Sequence, residues 1–171
     1  MNTCINTPFR LLHEIFVLDA YISRPLAEET RHDDARGFVQ QILDVLKMEP
    51  LGSMQFHDAV DDRAPGWSFV QAITTSHVSG HYFEKPGRMP HIRIDFYSCQ
   101  SVDWKTVVQV AHRYFGLDTW RATFINRQID SGRSILDIQG SRDVVLYEHE
   151  VLPDTQRAQA NESIPCMVTT A

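Results

Sequence analysis

The residues able to do chemistry crowd into one stretch, Gly66 to Gln100, which reads GWSFVQAITTSHVSGHYFEKPGRMPHIRIDFYSCQ. Ser76 is followed directly by His77, a second histidine comes five residues later at His81, Ser68 precedes Ser76 by eight residues, and Cys99 closes an apolar run. A hydroxyl nucleophile, an imidazole to move protons and a thiol acid are the parts that nucleophilic and acid–base catalysis require. Taken singly each has an ordinary explanation: a serine at a strand end, a solvated loop histidine, a small buried thiol. Their grouping is what singles them out. Side chains an even number of residues apart in an extended segment point the same way, so Ser68 and Ser76 share a face if the segment is one regular strand. The same alternation sets Ile92, Ile94 and Phe96 on one side of the following strand, with Arg93, Asp95, Tyr97 and Cys99 on the other. That pattern describes a core face and a wet, reactive face.

These residues need elements to hold them. Leu11 to Tyr21 forms a first strand around Ile15, Val17 and Asp19, ended by Pro25. A helix starts at Asp33 or Asp34 as its cap and buries Phe38, Ile42, Leu43 and Leu46; Pro50 and Gly52 stop it. Ser53 to Val60 reads as a second strand, and residues 61–66 as a turn. The serine strand follows and bends between Ser76 and Gly80, where Gly80 tolerates an unusual backbone. Pro86-Gly87 turns the chain into the cysteine strand. Asp103 caps a second helix that buries Trp104, Val107, Val108, Ala111 and Phe115 and stops at Gly116. Trp120 to Ile129 is a further strand, and Ser134 to Leu146 supplies a hairpin. Two helices and five or six strands in this order give an α+β fold, a two-layer α/β sandwich with an antiparallel sheet and helices on one face. The order repeats crudely about the middle of the chain.

Composition sets the bounds. With 171 residues, 43% of them hydrophobic, the chain suits one domain over residues 1–152; beyond Pro153 the polar composition predicts a disordered tail over 153–171. The net charge of −6 argues against a nucleic-acid partner. No apolar run reaches the length of a membrane span, the first residues lack a signal-peptide layout, and Cys4, Cys99 and Cys166 suit a reducing compartment. The expectation is a cytoplasmic protein with no membrane partner. His57, His91, His112 and His149 lack ligand spacing, so no metal site is expected.

At the reactive stretch the chain resembles the prokaryotic S-adenosylmethionine decarboxylases, which cut themselves to make a pyruvoyl cofactor. The resemblance lies in Thr75-Ser76-His77, His81, Tyr97-Ser98-Cys99 and Ser68, with support from the strand Phe16 to Tyr21 and the Asp-x-Lys helix start at Trp104. It covers roughly residues 10–128. Three departures accompany it. The family keeps Glu where Thr75 stands, residues 84–88 look like an inserted turn, and Gly66-Trp67-Ser68-Phe69 replaces a run of smaller residues.

The resemblance implies that Ser76 attacks the carbonyl of Thr75 and forms an ester by an N-to-O acyl shift. Elimination from that ester leaves dehydroalanine, whose hydrolysis gives a pyruvoyl group at residue 76; its carbonyl forms a Schiff base with a substrate amine and serves as electron sink. His81 would serve the elimination, Ser68 would assist processing, and Cys99 would protonate the product carbon. It also implies a homodimer with sites near the subunit interface, and a small-molecule substrate of polyamine biosynthesis. For S-adenosylmethionine, the first choice of substrate, Phe56, Trp67, Tyr82 and Phe83 are candidate aromatic contacts. For ornithine or arginine, the alternative, Asp58, Asp61, Asp62 and Glu84 could hold the distal cation. An uncleaved regulatory homologue is the reading from a different class.

Overall fold

A computed structural model of the chain describes residues 11–128 and 132–151. The elements are β1 (Glu14–Ile22), α1 (Arg31–Leu46), β2 (Gln55–Ala59), β3 (Gly66–Ile73), β4 (Ser76–Phe83), β5 (His91–Ser98), α2 (Trp104–Phe115), β6 (Leu117–Gln128), β7 (Gly132–Ser141) and β8 (Val144–Glu150). All eight strands join one antiparallel sheet in the order β2-β3-β4-β5-β1-β6-β7-β8. This is the expected α+β sandwich, with more strands than the sequence suggested. A strand, a helix and three strands occur twice in succession, as the crude repeat implied. The halves differ in space, because the first meander reaches the sheet centre through its last strand, β4, and the second through its first, β6.

Period-two alternation divides the sheet into two faces. Phe16, Leu18, Ala20 and Ile22 of β1, Ile92, Ile94 and Phe96 of β5, and Trp67, Phe69 and Ile73 of β3 are buried against the helices. Burying a side chain of this size contributes about 1.5–3 kcal/mol. The helices answer with Phe38, Val39, Ile42 and Leu43 from α1 and Val107, Val108, Ala111 and Phe115 from α2. Phe38 meets Phe115 at 5.0 Å between ring centroids, which ties the two helices together over the sheet. The opposite face carries Asp19, His77, His81, Arg93, Asp95 and Tyr97, and no element of the described chain covers it.

α2 is as the sequence predicts: Asp103 accepts from the Lys105 and Thr106 amides and Gly116, left-handed, closes it. α1 differs at both ends. It begins at Arg31, so Asp33 and Asp34 lie in its first turn, where they complement the helix dipole rather than cap it; left-handed Lys47 ends it ahead of Pro50. The segment expected as one serine strand is two strands of a tight hairpin, with Thr74 and Thr75 as the turn. Ser68 and Ser76 are therefore on different strands, and the parity that would have put them on one face does not apply. The strained residue is also not Gly80. That glycine sits within β4, and a Cβ on it would lie 2.3 Å from the Phe69 ring, so its role is to let the core close. The expected tail over 153–171 lies outside the described residues, as do Cys4 and Cys166.

Gly80→Ala should overpack this contact and lower stability by about 1–3 kcal/mol in urea unfolding of the full chain. An unchanged midpoint would mean that the Phe69 ring moves aside freely.

Candidate active site

Ser76 stands where β3 turns into β4. Its Cα pairs with Ile73 across the hairpin and with Ser98 on the other side, so it is held from both neighbours. Two-residue hairpin turns need positive φ, which Gly, Asn or Asp supply and β-branched residues resist. Here the turn is Thr-Thr, and the positive φ falls on Ser76 instead, at 145°. A non-glycine residue held there stores about 1–3 kcal/mol. The backbone also redirects the side chain. Successive residues of a regular strand face opposite ways, yet Ser76 Oγ lies 3.1 Å from Nδ1 of its neighbour His77.

The carbonyl next to this serine is held as well. Thr75 O accepts a hydrogen bond from the Cys99 amide at 2.9 Å, so the bond between Thr75 and Ser76 has a hydroxyl on one side and a fixed donor on its oxygen. Thr75 is itself buried, with its hydroxyl 3.3 Å from Met48 Sδ. Cys99, partly exposed, thus lies beside the Thr75–Ser76 bond. Tyr97 stands across from His77 in the β4–β5 register, its ring 5.9 Å away at 71°, and its hydroxyl bonds His13 Nδ1 at 2.8 Å. Glu14, buried nearby, accepts from the Val102 amide at 2.7 Å, and burial pushes its carboxyl above the usual range.

Ser68 and His81 form a second group. They are cross-strand partners on β3 and β4, and Ser68 Oγ is hydrogen-bonded to His81 Nδ1. The row continues to Arg93 on β5 and Asp19 on β1, which pair at 3.2 Å. Burial, with help from His91 and Arg93, holds the His81 imidazole below its ordinary pKa. Five strand steps of about 3.3 Å separate His81 from Ser76, roughly 16 Å along β4. The structure brings Thr75, Ser76, Cys99 and His77 together, and Ser68 with His81, as two groups within one chain.

The aromatic and acidic candidates are scattered. Trp67 is wholly buried on the helix side, opposite in facing to Ser68, among Phe56, Phe69 and Tyr82. It is a core residue and takes no space from the open face. Tyr82 is equally buried, and burial pushes its hydroxyl up to about 12. Phe56 stacks on His32 at 4.3 Å beside the edge strand. Phe83 alone of the four lines an open-face cavity, one of about 620 Å³ with Tyr21, His91, Arg93, Lys85 and Arg88, and it stacks on His91 at 4.5 Å. Asp58 pairs with Arg31 at 3.4 Å and Asp61 with Arg63 at 2.7 Å, while exposed Glu84 lines a cavity with Arg31, Lys85 and Arg88. Of the carboxylates expected to hold a distal cation, Asp58 and Asp61 are thus taken by arginines of the chain itself, whereas Asp62 and Glu84 are exposed. No cluster of three metal-ligating side chains occurs among the described residues. No helix among them is long and apolar enough to cross a membrane.

The sequence flagged the Ser76-His77 pair without assigning His77 a part. It overlooked His13, Tyr97's hydroxyl and Glu14 altogether, since their partners are 84 to 88 residues away in sequence. A model of the S-adenosylmethionine decarboxylase family matches residues 24–128, a span that includes Ser68, Thr75, Ser76, His81 and Cys99. No curated protein matches the chain.

An imidazole with a depressed pKa is neutral at pH 7 and able to accept a proton. Since the unfolded chain binds that proton more readily, His81 withdraws stability as pH falls from about 6.5 through its folded value. Proton NMR should give His81 a titration midpoint below the ordinary histidine value of about 6.5. A midpoint at or above it would contradict the burial argument.

Proposed function

The chain belongs to the S-adenosylmethionine decarboxylase family, and on that premise we propose that it is a self-cleaving, pyruvoyl-dependent decarboxylase acting on S-adenosylmethionine in spermidine biosynthesis. One observation carries the reading: the serine that would be cut before is the strained residue of the β3–β4 hairpin, with the carbonyl it must attack already hydrogen-bonded to the Cys99 amide. The family offsets alone would put a serine there. They would not put it at a φ of 145°.

The residues present fit formation of the cofactor. Ser76 supplies the hydroxyl that attacks, its nitrogen would leave as ammonia when the new terminus becomes a ketone, and cleavage releases its backbone strain. Thr75 in place of Glu does not obstruct this, because its contribution is a main-chain carbonyl and its side chain points into the core against Met48. When formed, the pyruvoyl group supplies an electron sink for loss of the substrate carboxylate. Cys99, whose amide bonds Thr75 O at the same end of the sheet, is the thiol that would give a proton to the product carbon.

Ser68 and neutral His81 complete the set, but at about 16 Å from Ser76 of the same chain. A homodimer in which the open faces meet reconciles these positions, since it covers the polar face and can bring one chain's Ser68–His81 pair toward the partner's Ser76. The ring face of Phe83, backed by His91 and bordering the 620 Å³ cavity, is the aromatic surface available there for adenine. Two of the four acidic residues that would favour ornithine or arginine, Asp58 and Asp61, are engaged by the chain's own arginines, which supports S-adenosylmethionine as the substrate.

Purified wild-type chain should separate into fragments meeting between Thr75 and Ser76, whereas Ser76→Ala should stay intact and inactive. The processed protein should release carbon dioxide from S-adenosylmethionine and not from ornithine or arginine. An intact wild-type chain after prolonged incubation at neutral pH would favour a regulatory homologue, and turnover of ornithine or arginine alone would overturn the substrate.

A further inference from the structure

We propose that His77 is the general base of the self-cleavage step, an inference that rests on the reading of Ser76 as the processing nucleophile. The imidazole and the hydroxyl are adjacent in sequence, where a regular strand would turn them to opposite faces. Their 3.1 Å contact exists because the Ser76 backbone is held at φ 145°. The same distortion that strains the serine therefore delivers its Oγ to Nδ1 of His77. His81 cannot take this part within the chain, being about 16 Å along the strand and bonded to Ser68.

The surroundings position the ring. Tyr97 flanks His77 edge to face at 5.9 Å, and its own hydroxyl is anchored 2.8 Å from His13 Nδ1. Arg127 lies over the Tyr97 ring at 5.5 Å. Asp95, on the same face of β5, interacts electrostatically with His77, so a carboxylate is at hand when the imidazole becomes charged. His77 itself is exposed, which leaves the ring free of the core and lets substitutions there spare the fold.

The step balances with no further reactant. The Ser76 Oγ proton passes to His77 Nδ1 as Oγ bonds to the Thr75 carbonyl carbon. The carbonyl π pair moves onto oxygen, where the Cys99 amide donates a hydrogen bond. When that pair returns, the bond to the Ser76 nitrogen breaks, and the proton on Nδ1 passes to that nitrogen. The product is an ester between Thr75 and Ser76 Oγ with a free amine, and the Ser76 backbone is no longer held by the turn.

The test follows self-cleavage of the full chain by intact mass, in wild type, His77→Asn and His77→Ala, with urea unfolding to check each fold. Asn keeps a hydrogen-bonding group near the place of Nδ1 but cannot carry the proton. His77→Asn should cleave about 100-fold more slowly or worse, and added imidazole should restore part of the rate to His77→Ala. Cleavage of His77→Asn at the wild-type rate, or a slow His77→Ala that imidazole does not rescue, would overturn the role. An intact wild-type chain would overturn the processing reading and the role with it, whereas a cleaving wild type with unaffected variants overturns the role alone.

Discussion

β4, paired along its whole length on both sides, meets β3, which β2 pairs over Gly66–Val70, at a two-residue turn made of threonines, and much of the site's geometry descends from that constraint. β3 is fixed by β2 and β4, and its far end is further held by a bridge from Pro50 to Ile73 and by Thr74 donating to Glu49 O at 2.9 Å. β4 is fixed by β3 and β5. Neither strand can slide without turning its buried side chains to the open face. The turn must close, the threonines do not take positive φ, and Ser76 takes it instead. A hairpin with Asn-Gly at the turn would take the positive φ itself and leave the serine in regular strand geometry.

The sheet separates what must stay dry from what must react. Its helix side is filled with aromatic and branched residues, and the catalytic candidates lie on or beside its other face. That face is a grid set by register. One row runs Ser68, His81, Arg93, Asp19, Arg121, and another runs His77, Tyr97, Ile15, Ile125. The rows fix which side chains can meet. They allow Ser68 to bond His81 and Arg93 to bond Asp19, and they keep both pairs several rows from Ser76. An open face of this kind, carrying Val17, Tyr97 and Ile125 half-buried among charges, is one that a second copy of the chain would cover to advantage.

Much of this was legible in the sequence. The alternation from Ile92 to Phe96 gave β5 its faces, and Asp103 and Gly116 gave α2 its ends, because caps and period-two patterns are local signals. The hairpin was not legible. Thr74-Thr75 has none of the residues that announce a tight turn, so the serine segment read as one strand that bends between Ser76 and Gly80. The same gap hid the strain at Ser76, which arises because two paired strands must close through a turn whose threonines do not take the positive φ. Trp67 was misjudged for a related reason: its facing follows from β3's register against β2 and β4, which sequence alone leaves unset. The contacts of His13 with Tyr97 and of Glu14 with Val102 join β1 to distant segments, and only the sheet order reveals them.

The central claim is that strain and hydrogen bonding at the Thr75–Ser76 bond convert Ser76 into a terminal ketone. The most direct measurement treats the purified chain with phenylhydrazine and weighs its fragments. The account predicts a fragment beginning at residue 76 whose mass rises by one hydrazone and whose terminus lacks a free amine. An uncleaved chain, or a fragment beginning with an ordinary serine amine and unaltered by the reagent, would contradict it.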